Sequence, residues 1–568
     1  MAANKEQQSS ANQAVDHSST GDSFDDTKRP RLHAKTFLAV LAVCFIYFAQ
    51  LLCIVGAGTQ GQTIAGHFGS KDVVWFSAPI TILTVVLGPI VSQAADYWGR
   101  KWFLVIFSLA GVVGSIIVAR ASSMSMAIAG FTVLGISFGV QPLLHTVAAE
   151  VLPRRWRPYA QAATLSSSSM GSVTGLLVGG ALNRNYDPNS LGFQYYFYIT
   201  MAIYLAATIL CVAVYHPPPT AKQVEFRGRT MDKLHRLDWV GYVLLAAGLI
   251  LFCVALSYSG NPYTWADAHV SATFAVGVAL ALALVAYETW FKSDGMFHHG
   301  LFTGNRNFSI ALFCVFAEGL AFFAANIYFA FEVSVLYETD ALLVNTRYTI
   351  SLFALIFSAI LSGIYCSATR RIRWITVAAF VIFTAFFAAM AKADRSTDHA
   401  VWGYGVLLGF GLGMTLTALV TVAQLSTPPE LISIASGLII SVRSLGGTIG
   451  IAIYTALFND QLNRIGDNVA NAVLPKGLSP DALPQFIGAL SSHNQTALMG
   501  VPGVTPEIIG AGATALVDTF ITGFSHVWIA ASCFVGLAAI AAVFLFDPRK
   551  EFNNRIDAAM DKEDTSSE

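Results

Sequence analysis

The sequence predicts an all-α membrane protein with fourteen spanning helices, and three observations carry that reading. Only 12% of the 568 residues are charged, against about 25% in an average soluble chain. The apolar set makes up 55%, and mean hydropathy is +0.59. Apolar runs about 20 residues long, enough to cross a bilayer as a helix, recur along most of the chain. No segment has the alternating pattern of about ten residues that a membrane barrel requires. A hydrocarbon core leaves helices and closed barrels as the only spanning structures, so helices are expected throughout.

Residues 1–35 are rich in Ser, Asn, Gln and Asp, and read as a disordered tail. The first apolar run begins only at Thr36 and stays uncharged until Lys71, too long for the core of a signal peptide. The expected spans are 36–58, 73–94, 102–120, 125–148, 159–181, 194–215, 239–259, 268–290, 308–331, 347–367, 374–391, 401–423, 432–457 and 523–546. With the N-terminus placed in the cytoplasm, 24 of the 33 Lys and Arg fall in cytoplasmic segments and 8 in outer ones, leaving Arg443 inside a span. That bias follows the positive-inside rule and puts both tails in the cytoplasm. The sequon Asn494-Gln495-Thr496 falls in the last outer loop, so Asn494 is a glycosylation candidate. A net charge of −1 gives no electrostatic case for nucleic acid. The seven cysteines lie inside apolar runs without metal-ligand spacing, which points to neither a disulfide framework nor a metal site. No G-x-x-x-x-G-K-[ST] loop is present, so no nucleotide is expected, and any work done across the membrane must draw on a gradient.

A repeat runs through the chain. Ala149-Glu150-Val151-Leu152-Pro153 follows span four, and Ala423-Gln424-Leu425-Ser426-Thr427-Pro428 follows span twelve. Gly171-x-x-x-Gly175 lies in span five and Gly446-x-x-x-Gly450 in span thirteen. The two sets share an offset if spans seven and eight are inserted between six-span halves. The expected division is a half at 36–216, a linker with two inserted helices at 217–292, a half at 293–546 with a long outer loop at 458–522, and a tail at 547–568. Six-helix repeats facing a midplane cavity are a transporter architecture. The glycine stripe of Gly171, Gly175, Gly179 and Gly180 lets two helices approach closely, and Gly446 and Gly450 do the same in the second half.

After span two stands Ser92-x-x-x-Asp96-Tyr97-x-Gly99-Arg100-Lys101, which resembles the loop motif of the major facilitator superfamily. Ser92 replaces its glycine and Tyr97 its basic residue. Asp96 at a helix end can accept from a facing helix N-terminus, Gly99 permits a tight turn, and Arg100 and Lys101 can pair with carboxylates. Glu150-Val-Leu-Pro153-Arg154-Arg155-Trp156-Arg157 resembles the segment after span four, and Glu150 is expected to pair with Arg100 or Arg154 to close the cytoplasmic side. Gly175-Leu176-Leu177-Val178-Gly179-Gly180 resembles the antiporter motif of span five, with Leu176 where proline is usual and Phe131 where span four usually has arginine.

Leu237-Asp238-Trp239-Val240-Gly241, Tyr258-Ser259-Gly260-Asn261-Pro262-Tyr263-Thr264-Trp265, Asn305-Arg306-Asn307-Phe308 and Arg443-Ser-Leu-Gly446-Gly447-Thr448 extend the likeness. Together they resemble the fourteen-span fungal branch of the drug:proton antiporters, which includes trichothecene efflux pumps and siderophore-iron transporters. The resemblance implies the major facilitator fold in a 6+2+6 arrangement, no enzymatic activity, no cofactor, and a monomer in the lipid bilayer that exchanges a small molecule for protons. It implies export of a secondary metabolite, toxin or drug across the plasma membrane, with the vacuolar membrane as the alternative site. Uptake of an iron–siderophore complex and a non-transporting sensor are the rival readings.

Glu318 and Arg443 fall near the middle of spans nine and thirteen. A central charge costs at least about 2.5–3.5 kcal/mol on insertion scales, so each must face a cavity or a partner. Glu318 is the first candidate for proton coupling; a structural Glu318–Arg443 pair is the alternative. His145, one turn from Glu150, can titrate near neutral pH or simply pack. Gln141, Gln50, Gln60 and Gln62 are candidate substrate hydrogen-bonders, and Phe322-Phe323 and Phe386-Phe387 are candidate pocket walls.

Overall fold

The computed structural model describes residues 33–558, apart from 70–72, 184–191, 220, 227, 259–262, 264, 293–294, 304–305, 339 and 492–497. The sequon at Asn494, the tail before residue 33, the side chain of Gln62, and Ser259–Pro262, Thr264 and Asn305 lie outside that set.

Among the described residues the long helices are fourteen: α1 (Ala34–Phe68), α2 (Val74–Trp98), α3 (Arg100–Ala119), α4 (Met124–Glu150), α5 (Arg157–Asn183), α6 (Gly192–Val214), α7 (Trp239–Tyr258), α8 (Ala268–Trp290), α9 (Asn307–Leu336), α10 (Ala341–Thr369), α11 (Arg373–Met390), α12 (Asp398–Leu425), α13 (Ile432–Leu462) and α14 (Pro506–Ala542). Among the described residues, thirteen are long and apolar enough to cross a membrane. The exception is α5, whose Ser166–Ser169 run and Gln161 make it too polar to face lipid. It has little need to, because α1 packs along one side of it and α10 along the other.

Helices α1–α6 and α9–α14 repeat one packing pattern. The pairs α1–α5, α3–α6, α3–α4, α2–α4 and α1–α6 recur as α9–α13, α11–α14, α11–α12, α10–α12 and α9–α14. Contact between the two sets follows the same symmetry, with α2 against α13 and α10 against α5. Helices α7 and α8 form a hairpin whose α7 lies along α2.

The stripe glycines explain the closest pairs. A Cβ on Gly171 would strike the Phe48 carbonyl, and one on Gly446 the Phe316 carbonyl. Gly175 meets Val55 and Gly179 meets Thr59 on α1, Gly450 meets Leu320 on α9, and Gly180 faces Asn345 and Leu342 of α10. The van der Waals contact that holds helices together in lipid requires such approaches.

Several helix limits differ from the sequence expectation. Runs of apolar residues report only the hydrocarbon thickness, whereas α1 continues to Phe68 and α14 begins at Pro506. At 1.5 Å per residue, the 37 residues of α14 reach about 55 Å, well beyond a bilayer core. The region read as an outer loop at 458–522 therefore holds the end of α13, two short helices (Ile465–Val473 and Leu483–Ser491) and the first turns of α14. Val469, Val473, Phe486, Ile508 and Leu516 give it a small apolar core of its own. Span four is interrupted by a 3-10 turn at Phe138–Val140, just before Pro142, which has no N–H to give the helix.

Candidate functional site

A cavity of about 420 Å³ lies between the two helix sets. Tyr47, Leu51 and Val55 of α1 line it, with Thr81 and Thr84 of α2, Gln141 of α4 and Ser172 of α5. Facing them are Phe322, Phe323 and Asn326 of α9, Asn345 and Tyr348 of α10, and Arg443 of α13. Its walls are mainly apolar with dispersed neutral donors and acceptors, the composition of a small-molecule site. Tyr348 donates to Asn326 Oδ1 at 3.2 Å, and Gln141 Nε2 to the Tyr47 hydroxyl at 3.2 Å.

The charge at this site is a bidentate pair. Arg443 Nε donates to Glu318 Oε2 at 2.6 Å and Nη2 to Oε1 at 3.0 Å. The Arg443 side chain is 14% exposed on the cavity, whereas Glu318 behind it is 0% exposed. The guanidinium lies over the Phe322 ring, 4.5 Å from its centre. Gly319 makes this possible, since any side chain there would strike the Arg443 carbonyl. Two charges taken out of water are tolerated only in such geometry, and removing one partner strands the other.

The floor of the cavity is sealed toward the face that carries both described chain ends, hereafter the terminal face. Arg100 forms an ion pair with Glu150, donates to Ser433 Oγ of α13 at 2.9 Å, and lies 3.4 Å from Asp96. Asp96 is also 3.9 Å from Lys222. Gly99, between α2 and α3, has φ 94°, a conformation that disfavours other residues and sets Arg100 at the start of α3. Deeper in, Gln161 Nε2 donates to Gln424 Oε1 at 3.0 Å, Gln424 Nε2 to Ser436 Oγ at 3.0 Å, and Arg157 Nη1 to the Gln424 carbonyl at 2.8 Å. These bonds tie α5 to α12 across the interface between the two sets.

The structure sorts the sequence candidates. Arg443 and Gln141 line the cavity with Glu318 buried behind Arg443, and Asp96, Gly99, Arg100 and Glu150 meet at the seal. Among the described residues Lys101 pairs with no carboxylate; its Nζ donates to the Val212 carbonyl at 2.9 Å. Arg154 leaves Glu150 to Arg100 and turns instead to Glu551 at 2.7 Å and Asp557 at 3.0 Å. Gln50 is off the cavity: its Nε2 donates at 2.7 Å to the Ser137 carbonyl beside the break in α4. Gln60 likewise donates to the Gly179 carbonyl at 3.3 Å. His145 is fully buried between the seal and the cavity, with Nδ1 2.7 Å from Gln161 Oε1 and its ring edge-on to Tyr47. Phe322 and Phe323 do line the cavity, but Phe386 and Phe387 pack against Trp528 in the core between α11 and α14.

Sequence reasoning missed Gln161, Ser433, Asn326, Asn345 and Tyr348 as site residues. It also missed Glu332, another buried carboxylate, which accepts from Trp528 Nε1 at 2.6 Å. Glu332 stands one residue past the expected end of span nine, outside the stretch in which a charge demands a partner. The signal for the others was a neutral polar residue in an apolar run, which is common and seldom decisive.

The family model for the fungal trichothecene efflux pump (TRI12) matches residues 10–560, nearly the whole chain. The chain belongs to this family. It is a membrane transporter of the efflux-pump type with the major facilitator fold, and not an enzyme. The efflux transporter ffsH of Aspergillus flavipes is 25% identical over 87% of this chain and 83% of its own length. The efflux pump FUS6 of Gibberella moniliformis is 24% identical over 90% and 88%. The trichothecene efflux pump of Fusarium sporotrichioides is 21% identical over 80% and 77%. Among solved structures, the proton:xylose symporter XylE superposes with a TM-score of 0.53 at 14% identity, covering 89% of this chain and 94% of that one. A bacterial homologue of the lysosomal transporter Spinster gives 0.53 at 13%, covering 90% and 98%. At such low identities these neighbours speak for the fold alone.

Proposed function

We propose that this family member exports a small secondary metabolite or toxin across the plasma membrane in exchange for protons. It acts as a single chain with both termini in the cytoplasm, built as two halves at 36–216 and 293–546 joined by 217–292. The terminal face is then the cytoplasmic one, and the sealed floor corresponds to a transporter closed toward the cytoplasm. The lysine and arginine bias supports that orientation.

The observation that carries coupling is the buried Glu318–Arg443 pair at the cavity wall. A proton on a Glu318 oxygen removes the negative charge and leaves Arg443, the partner that touches the cavity, to turn to acceptors of the cavity wall, into the space a substrate would occupy. Loss of the proton draws Arg443 back to Glu318 and clears that space. Proton and substrate thus exclude one another through one arginine, which is the requirement for exchange. The names of the efflux relatives support export over uptake.

The test is a metabolite profile of cells and medium, with and without the gene. Export predicts that one compound accumulates inside the deleted strain and returns to the medium when the gene is restored. Unchanged profiles, together with loss of uptake of a supplied iron–siderophore complex, would overturn it.

A further inference from the structure

The segment after α14 reaches across the terminal face from one helix set to the other. Its root is fixed on the second set. Asn307 at the start of α9 donates to the Phe546 carbonyl at 2.9 Å and accepts from the Phe546 N–H at 2.8 Å. Asp547 accepts from the N–H groups of Ile372 and Arg373 at 2.7 and 3.0 Å, which caps the start of α11. Phe552 is fully buried in the large core of the second set.

Its tip is fixed on the first set. The N–H groups of Arg154 and Arg155 donate to the carbonyls of Arg555 and Asn553 at 3.0 and 2.9 Å, and the Ala558 N–H to the Glu150 carbonyl at 3.0 Å. Asp557, only 7% exposed, receives both Arg154 and Arg157. Arg157 is the residue that donates to Gln424 of α12. Glu150 is the residue that pairs with Arg100. The tip therefore grips the backbone of one seal residue and the side chain of another.

We propose that residues 547–558 are a strap that holds the terminal face closed, with Asp557 as a positioning residue of the seal. Opening that face requires the ends of α4 and α5 to part from those of α12 and α13. A strap rooted on one set and gripping the other resists that parting. Without Asp557, two clustered guanidinium groups, Arg154 and Arg157, lose their shared acceptor, and Arg157 is no longer aimed at Gln424. In transport terms, Asp557 sets the balance between the two access states and takes no part in substrate contact.

The test reads opening directly. Ser168, on α5 between the seal and the cavity, is replaced by cysteine in the full chain with the native cysteines replaced. Its rate of reaction with a membrane-impermeant thiol reagent added at the terminal face is measured in vesicles. Asp557→Asn is expected to raise that rate about tenfold, the shift that loss of one charge-assisted contact gives a two-state equilibrium. Asp557→Glu, which keeps the charge, stays near the unmodified rate; a merely structural role would not separate the two. If Asp557→Asn is not recovered folded, a chain shortened after Pro548 carries the same test with the same expectation. An unchanged rate in the variant that folds overturns the proposal, as does failure of both to fold, which would make the segment part of the core.

Discussion

The two helix sets solve one packing problem with different chemistry. Gly171 on α5 meets the Phe48 carbonyl of α1, and Gly446 on α13 meets the Phe316 carbonyl of α9. Matching these contacts puts Gln50 opposite Glu318 and Ser168 opposite Arg443. In the first set the result is neutral and inward-looking, since Gln50 bonds the Ser137 carbonyl and Ser168 the Leu165 carbonyl at 2.8 Å. In the second set the same two places hold an ion pair at the edge of the cavity. The repeat thus fixes the scaffold, and the departure from the repeat is the ion pair on which the coupling proposal rests. A neutral pair serves the packing adequately in the first half, so packing is no reason for an ion pair in the second.

The largest effect is expected where the halves agree. Gly171→Leu and Gly446→Leu each drive a side chain into a backbone carbonyl that has no rotamer to yield. Both should lose more than about 3 kcal/mol, the upper range for overpacking, and give little folded protein by detergent-exchange thermal melts. One tolerated and the other not would break the equivalence of the two helix pairs.

Next come the seal residues. Arg100→Ala removes the contacts to Glu150, Ser433 and Asp96 at once, and Asp96→Asn takes the charge out of one of them. Initial transport rates should fall about three- to tenfold for Arg100→Ala and less for Asp96→Asn, at unchanged surface abundance. Equal rates in both variants and the parent would remove the gating role from this network.

The smallest effect belongs to Gln50. Gln50→Leu leaves the Ser137 carbonyl to the 3-10 turn alone, at a cost of about 1 kcal/mol. The thermal melt should shift slightly, and the dependence of transport on a pH gradient should not change. A change in that dependence would mean that the first-half counterpart also handles protons.

Much of the fold was legible because membrane insertion is a strong constraint on composition. The long apolar stretches, the glycine stripe and the Asp96–Arg100 motif each reflect one physical need that few other residues meet. Glu318 and Arg443 were legible as a pair because a charge at mid-bilayer is costly and there were only two to match. The polar cavity wall was not. Asn326, Asn345 and Tyr348 are ordinary residues in long helices, and only the helix rotation turns them inward. Gln50 misled for the converse reason: a polar side chain in a span can serve a backbone carbonyl as well as a ligand, and the 3-10 break at Phe138–Val140, where the Gln141 N–H turns to the Phe138 carbonyl, leaves the Ser137 carbonyl in that need. The grip of Asp557 on Arg154 and Arg157 was hidden because a charged tail beyond the last span reads as solvated.

The most direct test of the account is the response of Glu318→Gln to a pH gradient, in vesicles, once the exported compound is known. Glutamine keeps the shape and can accept from Arg443 but cannot carry a proton. The account predicts that Glu318→Gln still exchanges substrate across the membrane down its own gradient, yet no longer concentrates it when a pH gradient is imposed. If Glu318→Gln still concentrates substrate as well as the parent does, the pair is structural and proton coupling lies elsewhere, with Glu332 and His145 the next residues to replace.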